Sequence, residues 1–288
     1  MTAILLGLGA ALAYGISDFI AGRLSRGMHY AQVAMIGYVF ALATTLVAIV
    51  VAVPASPDGT ALAWGAVSGV GGASGTLMLY RGLGSGRMGV VAPLSALGAA
   101  AVPVVIGVVL GDRPSMAAWA GVALALPAIW LVSTSSNAAE SEAPGGRAGL
   151  AEGVLDGLGA GLGFALLFVG LGLAGDRSGL WPVVAGEACA LVILGVFLVG
   201  VLRRLGPTRW SPQDGARAAV AGALGASASI LYFMATHSGL LSIVAVLTSL
   251  YPAVTVLLAV GILRESISRR QAVGLVLAMI AVGLIVAG

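Results

Sequence analysis

Apolar runs of membrane-crossing length, separated by short polar turns, fill the chain from end to end. A helix needs about 20 apolar residues to cross a hydrocarbon layer of roughly 30 Å. Breaks at proline, glycine and charge delimit ten such runs: 2–22, 31–53, 61–80, 88–110, 116–134, 150–174, 180–202, 218–236, 240–263 and 271–287. The first run lacks a basic leading region and contains Asp18, so it reads as a first span rather than a cleaved signal. The one hydrophilic stretch of any size is STSSNAAESEAPGGR, from Ser133 to Arg147. Its composition predicts a linker, 135–147, between a five-span unit at 1–134 and a second at 148–288.

The two units resemble one another. GLGAALAYG (Gly7 to Gly15) sits opposite GLGAGLGFA (Gly157 to Ala165), and Gly72-Ala73-Ser74 is echoed by Gly225-Ala226-Ser227. Tyr80 and Tyr232 follow at nearly the same offset, then Asp112 matches Glu265 and Gly121 matches Gly274. An odd number of spans per unit forces the second copy to enter the membrane upside down. Arginine placement agrees. Turns that follow odd-numbered spans carry Arg23, Arg26, Arg81, Arg87, Arg147, Arg203, Arg204, Arg209, Arg217, Arg264, Arg269 and Arg270, whereas even turns carry only Arg113 and Arg177. Positive residues concentrate on the cytoplasmic side, which puts the odd turns in the cytoplasm and both termini outside. The expected fold is an all-α membrane protein, with ten transmembrane helices in two inverted five-helix repeats.

Composition narrows the class. Only 9% of the 288 residues are charged, against roughly 25% in soluble domains, so water cannot be the main solvent. Glycine is abundant, at 44 residues, as suits helices whose backbones approach closely in lipid. Cys189 is the single cysteine, which excludes an internal disulfide, and no Cys/His cluster is present for zinc or iron. Every one of the 14 basic residues is arginine, a composition suited to a GC-rich bacterial genome and an inner-membrane location. The arginines set orientation and do not form a nucleic-acid surface.

Three segments carry a family likeness. LSALGAAAVPVVIGVVLGDRPSMAAWAGVAL and LTSLYPAVTVLLAVGILRESISRRQAVGLVL both resemble the fourth-to-fifth helix region of EamA-type carriers of the drug/metabolite transporter superfamily. Gly111-Asp112 and Arg264-Glu265 fill the acidic position there, and Gly121 and Gly274 fill the later glycine. YRGLGSGRMGVVAPLSAL resembles the third-to-fourth helix junction, and Ser17–Phe19 (SDF) a first-helix feature. The likeness spans both repeats. It implies a carrier that exports or imports metabolites, usually without a bound cofactor; alternating access is the expected mechanism and export the expected direction. It also implies cytoplasmic termini, opposite to the arginine count, and cavity walls from helices one, three, four, six, eight and nine.

Carriers of this kind place their substrate near the midplane, where helices are interrupted. Pro93 and Pro103 lie in span four and Pro252 near the centre of span nine, where it frees the Thr248 carbonyl. Pro252 reads either as a packing kink or as a cavity wall. Ionisable residues within spans are functional candidates. Glu187 lies about 10 Å deep by helical rise, with no arginine in its helix before Arg203. It is either a protonatable switch or cation site, or a neutral acid bonded to a neighbouring helix. Asp18 is either an interfacial acid paired with Arg23 or a gating group at the cavity mouth. Glu152 and Asp156 suit the N-terminal dipole of span six, and Asp112 and Glu265 read as structural turn residues. Uncharged recognition candidates are Tyr14, Ser17, Tyr38, Ser74, Thr76, Tyr80, Ser95, Ser227, Ser229, Tyr232, Thr248 and Tyr251, although serine and threonine in lipid more often bond their own helix.

Expected partners are a small neutral, zwitterionic or amphipathic substrate, amino-acid-like or drug-like, together with lipid and protons as a coupling ion, in a monomer or weak dimer. Two rival classes exist. A non-transporting receptor or assembly protein would need neither duplication nor mid-span prolines. An intramembrane serine protease would use Gly72-Ala73-Ser74-Gly75 with His237 as base, but the second repeat copies that segment at Gly225 without the rest. With Cys189→Ser as background, Ser85→Cys and Arg204→Cys should react with an impermeant maleimide from one side of the membrane, and Arg177→Cys from the other. Labelling of the first two from opposite faces would overturn the inverted repeat.

Overall fold

The computed structural model describes residues 1–51, 55–85, 87–133, 146–205, 210–263 and 268–288. Regular structure among the described residues is helical throughout. The first half contains α1 (Thr2–Leu24), α2 (Tyr30–Val51), α3 (Gly59–Gly84), α4 (Met88–Val109) and α5 (Met116–Ser133). The second contains α6 (Gly146–Leu173), α7 (Trp181–Leu205), α8 (Pro212–Thr236), α9 (Leu241–Thr248), α10 (Tyr251–Leu263) and α11 (Arg269–Ala287). Ten spans are long and apolar enough to cross a membrane, α9 and α10 together making the ninth. Of the expected linker only its last two positions are described, and Arg209, Arg264 and Glu265 lie outside the described residues.

Local chemistry sets the helix ends. Asp58 caps α3 by accepting from the Thr60 and Ala61 amides, and Ser268 with Gln271 forms a capping box on α11. Helix α8 begins at Pro212, six residues ahead of the expected 218, because Ser211 caps it and Pro212 occupies its first turn. Those first turns are polar, so hydropathy alone passes over them. Span nine is not continuous. α9 stops at Thr248 and α10 restarts at Tyr251, with Pro252 in its first turn, where a missing amide leaves no bond broken. The expected mid-helix kink is thus a break. Helix α4 keeps Pro93 and Pro103 within one helix.

Burial runs opposite to that of a soluble protein. The interior is rich in alanine, glycine and serine, with Ala10, Ala99, Ala190 and Ala226 all buried beside larger chains such as Leu194 and Tyr232, while Val50, Val109, Val196 and Met279 are more than two-thirds exposed. Bulky chains face lipid, and small ones let helices meet backbone to backbone. The tightest meetings join the two repeats. A Cβ on Gly69 of α3 would run into the Gly186 carbonyl of α7, and one on Gly222 of α8 would run into the Gly37 carbonyl of α2. Gly121 of α5 sits against Ala281 of α11, and Gly274 of α11 against Val132 of α5.

These meetings are mates under a pseudo-twofold axis. Each principal packing of one repeat on the other has its counterpart: α3 on α6 with α8 on α1, α3 on α7 with α8 on α2, and α4 on α6 with α1 on α9 and α10. α2 meets α7, α4 meets α9 and α5 meets α11, each across the axis itself. The halves interlock, and contacts within either half are secondary.

Rim contacts fix the alternation of direction. On one face Arg81 pairs with Asp156 and Arg87 with Glu152, joining the end of α3 and the start of α4 to α6. Asp156 is buried and lies well inside α6, so it answers Arg81 rather than the helix dipole. On the opposite face the Asp58 amide donates to Ser178 Oγ at 2.9 Å, Trp181 Nε1 donates to the Ala55 carbonyl at 3.0 Å, and the Ser242 amide donates to Asp112 Oδ2 at 2.8 Å. Asp112 thereby caps α9, whose own N-cap Leu240 has no side-chain acceptor. The approach to Asp112 leans on Gly111, whose φ of 107° suits glycine. The protein is an all-α membrane protein of ten transmembrane helices in two inverted five-helix repeats.

Gly69→Val and Gly222→Val should each cost at least about 3 kcal/mol or prevent folding, since the new atoms meet backbone that cannot swing away. Gly200→Val, with nothing within 4 Å of a new Cβ, should stay within about 1 kcal/mol of the parent. Thermal unfolding in detergent and the yield of monodisperse protein would measure both.

Candidate functional site

A cavity enclosing about 960 Å³, its mouth included, lies between the repeats. Its wall follows helical periodicity: Tyr14, Ser17, Asp18 and Ala21 on α1, Ala34, Gly37, Tyr38 and Ala41 on α2, and Ser68, Gly69, Thr76 and Tyr80 on α3. The second repeat supplies Phe164, Leu167, Phe168 and Leu171 on α6, Val183, Gly186 and Glu187 on α7, and Ala221, Gly222 and Ser229 on α8. Tyr251, just past the break in span nine, completes it.

Wall positions come in mates. In the register that pairs Gly7 with Gly157, Tyr14 matches Phe164 and Asp18 matches Phe168. Where Gly72 pairs with Gly225, Thr76 matches Ser229, both hydroxyls lining the cavity. Where Gly37 pairs with Gly186, Tyr38 matches Glu187. The geometry is shared and the chemistry is not: each acid stands opposite a neutral aromatic mate.

Glu187 is 5% exposed, and its Oε1 accepts from Thr45 Oγ1 of α2 at 3.0 Å. Its Oε2 is buried without a hydrogen-bond partner among the described residues. No arginine pairs with it there, so the carboxyl is held on one side and free on the other. Asp18 lies within electrostatic reach of the Tyr14, Tyr38, Tyr80 and Tyr251 hydroxyls. The expected pairing of Asp18 with Arg23 does not form: among the described residues Asp18 makes no ion pair and turns to the cavity. Tyr14 and Tyr38 also lie within reach of Glu187, so the two acids address one space. Asp18 stands six residues before the end of α1 and Glu187 six after the start of α7, each roughly 9 Å inward from opposite rims.

Other candidates lie elsewhere. Tyr232 is fully buried and donates to the Phe168 carbonyl at 3.0 Å, with its ring stacked on Phe168. Thr248 donates to the Gly7 carbonyl at 3.4 Å, tying α9 to α1. Ser74 and Ser227 donate to carbonyls of their own helices, and Ser95 does so toward Ala92. Pro252 is buried outside the cavity wall, behind Tyr251. His237 Nδ1 lies 2.6 Å from the Phe233 carbonyl, Ser74 donates within its own helix, and no hydrogen bond joins the two among the described residues.

Thr45, Phe164 and Phe168 were not among the sequence candidates. Tyr38, Ala41 and Thr45 are spaced for one helix face, a signal available once Glu187 is taken to need a donor. The phenylalanines gave no signal, because an aromatic in an apolar span looks like lipid-facing packing. The geometry sorts the tyrosines for a test. Tyr232→Phe should remove the bond between helices at the Phe168 carbonyl and lower stability by about 1 kcal/mol with little effect on ligand handling. Tyr80→Phe removes a hydroxyl at the cavity and should do the reverse, as read by unfolding and binding on the same preparations.

The comparisons agree with this architecture. One solved crystal structure superposes with a TM-score of 0.73 over 98% of this chain and 95% of its own, at 18% identity, which is a likeness of fold. Among curated proteins none matches the sequence. The family model of the EamA-like transporter family matches twice, over residues 1–134 and 152–287, once on each inverted repeat. The chain therefore belongs to the EamA-like transporter family, within the drug/metabolite transporter superfamily, and is a multi-pass membrane transport protein.

Proposed function

We propose that the protein is a secondary transporter that exports a small amphipathic metabolite across a bacterial inner membrane by alternating access. The units at 1–134 and 148–288 rock about the cavity between them. The observation that supports this reading is the cavity itself, walled by mated positions of both repeats and holding two carboxyls without ion-pair partners. A wall shared across an inverted repeat lets two equivalent packings exchange which face is open. The break at Ser249 and Leu250 puts a flexible joint beside Tyr251, where a span can bend without losing helical bonds elsewhere.

Glu187 is the coupling group in this scheme. It lines the cavity, with a hydroxyl donor on one oxygen and a buried second oxygen that makes no bond among the described residues, so a proton can be taken up or released there as the cavity changes its solvent. In proteoliposomes a pH gradient should accelerate flux of a transported substrate several-fold for the parent protein and leave Glu187→Gln unresponsive. The amide keeps the Thr45 bond, so loss of fold is not the expected effect. An unchanged pH response in Glu187→Gln would remove the coupling role, and absence of flux with every substrate bound by the purified protein would favour the receptor.

A further inference from the structure

The cavity wall has a one-sided charge inventory. Among the described residues it carries Asp18 and Glu187 and no arginine, lysine or histidine. Arg81 and Arg87, at one rim, are paired with Asp156 and Glu152. The remaining polar groups of the wall are hydroxyls, of which Tyr14 and Ser229 already share a bond at 2.8 Å, and Ser17 donates to the Ala221 carbonyl at 2.8 Å. A guest bearing a carboxylate would meet two acids and no cation.

A second observation comes from Glu187. Its Oε2 is buried, makes no bond among the described residues, and belongs to a side chain on the cavity wall. A buried carboxyl oxygen left unsatisfied is costly; a proton removes its charge, and a cationic N–H donor supplies a bond and a countercharge together. A guest N–H relieves it in one step. The same wall carries the rings of Tyr14, Phe164 and Phe168, with Tyr14 and Phe168 centroids 6.1 Å apart. Aromatic faces attract cations and cover an apolar ring equally well.

We infer that the cavity takes a primary organic ammonium on an aromatic or apolar body, its N–H groups binding the free oxygen of Glu187 or the Asp18 carboxyl and its body lying against Tyr14, Phe164 and Phe168. This rests on the transporter reading and names the substrate class of the same site. The acids lie toward opposite rims, so each serves one access state: the ammonium enters against one carboxyl and leaves past the other.

Three compounds with one ring and three charge states test it: tryptamine, tryptophan and indole-3-propionate, titrated calorimetrically into purified protein at neutral pH. Tryptamine should bind at least about tenfold more tightly than indole-3-propionate, with tryptophan between. Asp18→Asn and Glu187→Gln should each shrink that ratio, and the double variant should bring it within about twofold. Unfolding midpoints for each variant separate this from a loss of fold. Equal or tighter binding of the acid, no tryptamine binding, or a ratio unmoved in both variants would overturn the inference. Counterflow in proteoliposomes distinguishes the two readings. A tryptamine preference without counterflow removes the carrier and keeps the ammonium site. Counterflow of tryptophan or indole-3-propionate in preference to tryptamine keeps the carrier and removes the site.

Discussion

Close approach of backbones across the repeat interface is the constraint on which the rest depends. Lipid is as apolar as leucine, so burying leucine between helices gains little, and association has to come from packing and from polar contacts. Gly69 against Gly186 and Gly222 against Gly37 bring α3 to α7 and α8 to α2 at distances no side chain would permit. These contacts are made between repeats, so neither half can settle without the other. A wall built of interleaved helices leaves its unfilled space on the pseudo-twofold axis, and that is where the cavity lies.

Symmetry supplies the position of the cavity, and departures from symmetry supply its chemistry. Two identical halves would give a cavity with equivalent ends and no preferred chemical direction. Here Asp18 stands where the other repeat has Phe168, Glu187 where it has Tyr38, and Tyr14 where it has Phe164. The break between α9 and α10 has no counterpart in α4, which remains helical through two prolines. Each departure is a single residue or a single turn, so the fold accommodates it without altering the glycine seams.

Much of this was legible before any coordinates. Ten spans, the inverted repeat and the arginine-rich turns follow from hydropathy and charge, because a bilayer enforces length and loop chemistry strictly. Glu187 and Asp18 stood out for the same reason, as ionisable groups in apolar spans. The cavity wall did not. In a soluble helix the buried stripe contrasts with a polar face. In α1 and α6 both faces are apolar, and the interior is marked only by smaller side chains, so Ala21 and Phe168 gave no signal. Tyr232 and Thr248 were overvalued because a hydroxyl in lipid must bond something, and sequence cannot tell a neighbour's carbonyl from a substrate. Asp156 was taken for a dipole partner because its arginine lies in the other repeat, at a distance along the chain that no local pattern spans.

The two rims are tied by unlike bonds. Arg81 with Asp156 and Arg87 with Glu152 close one rim by paired charges, whereas their mates in the registers used above, Met234 opposite Arg81 and Leu6 opposite Asp156, are apolar. The other rim is closed by single hydrogen bonds to backbone, at Ser242 and Ala55. Charged pairs near water weaken as salt is added, and bonds to backbone respond far less. Under the alternating access proposed above, ionic strength on one side of the bilayer would act mainly through the more exposed pair, Arg87 with Glu152, loosening one latch while the other holds, so the composition of the two bathing solutions would help set which way the protein rests.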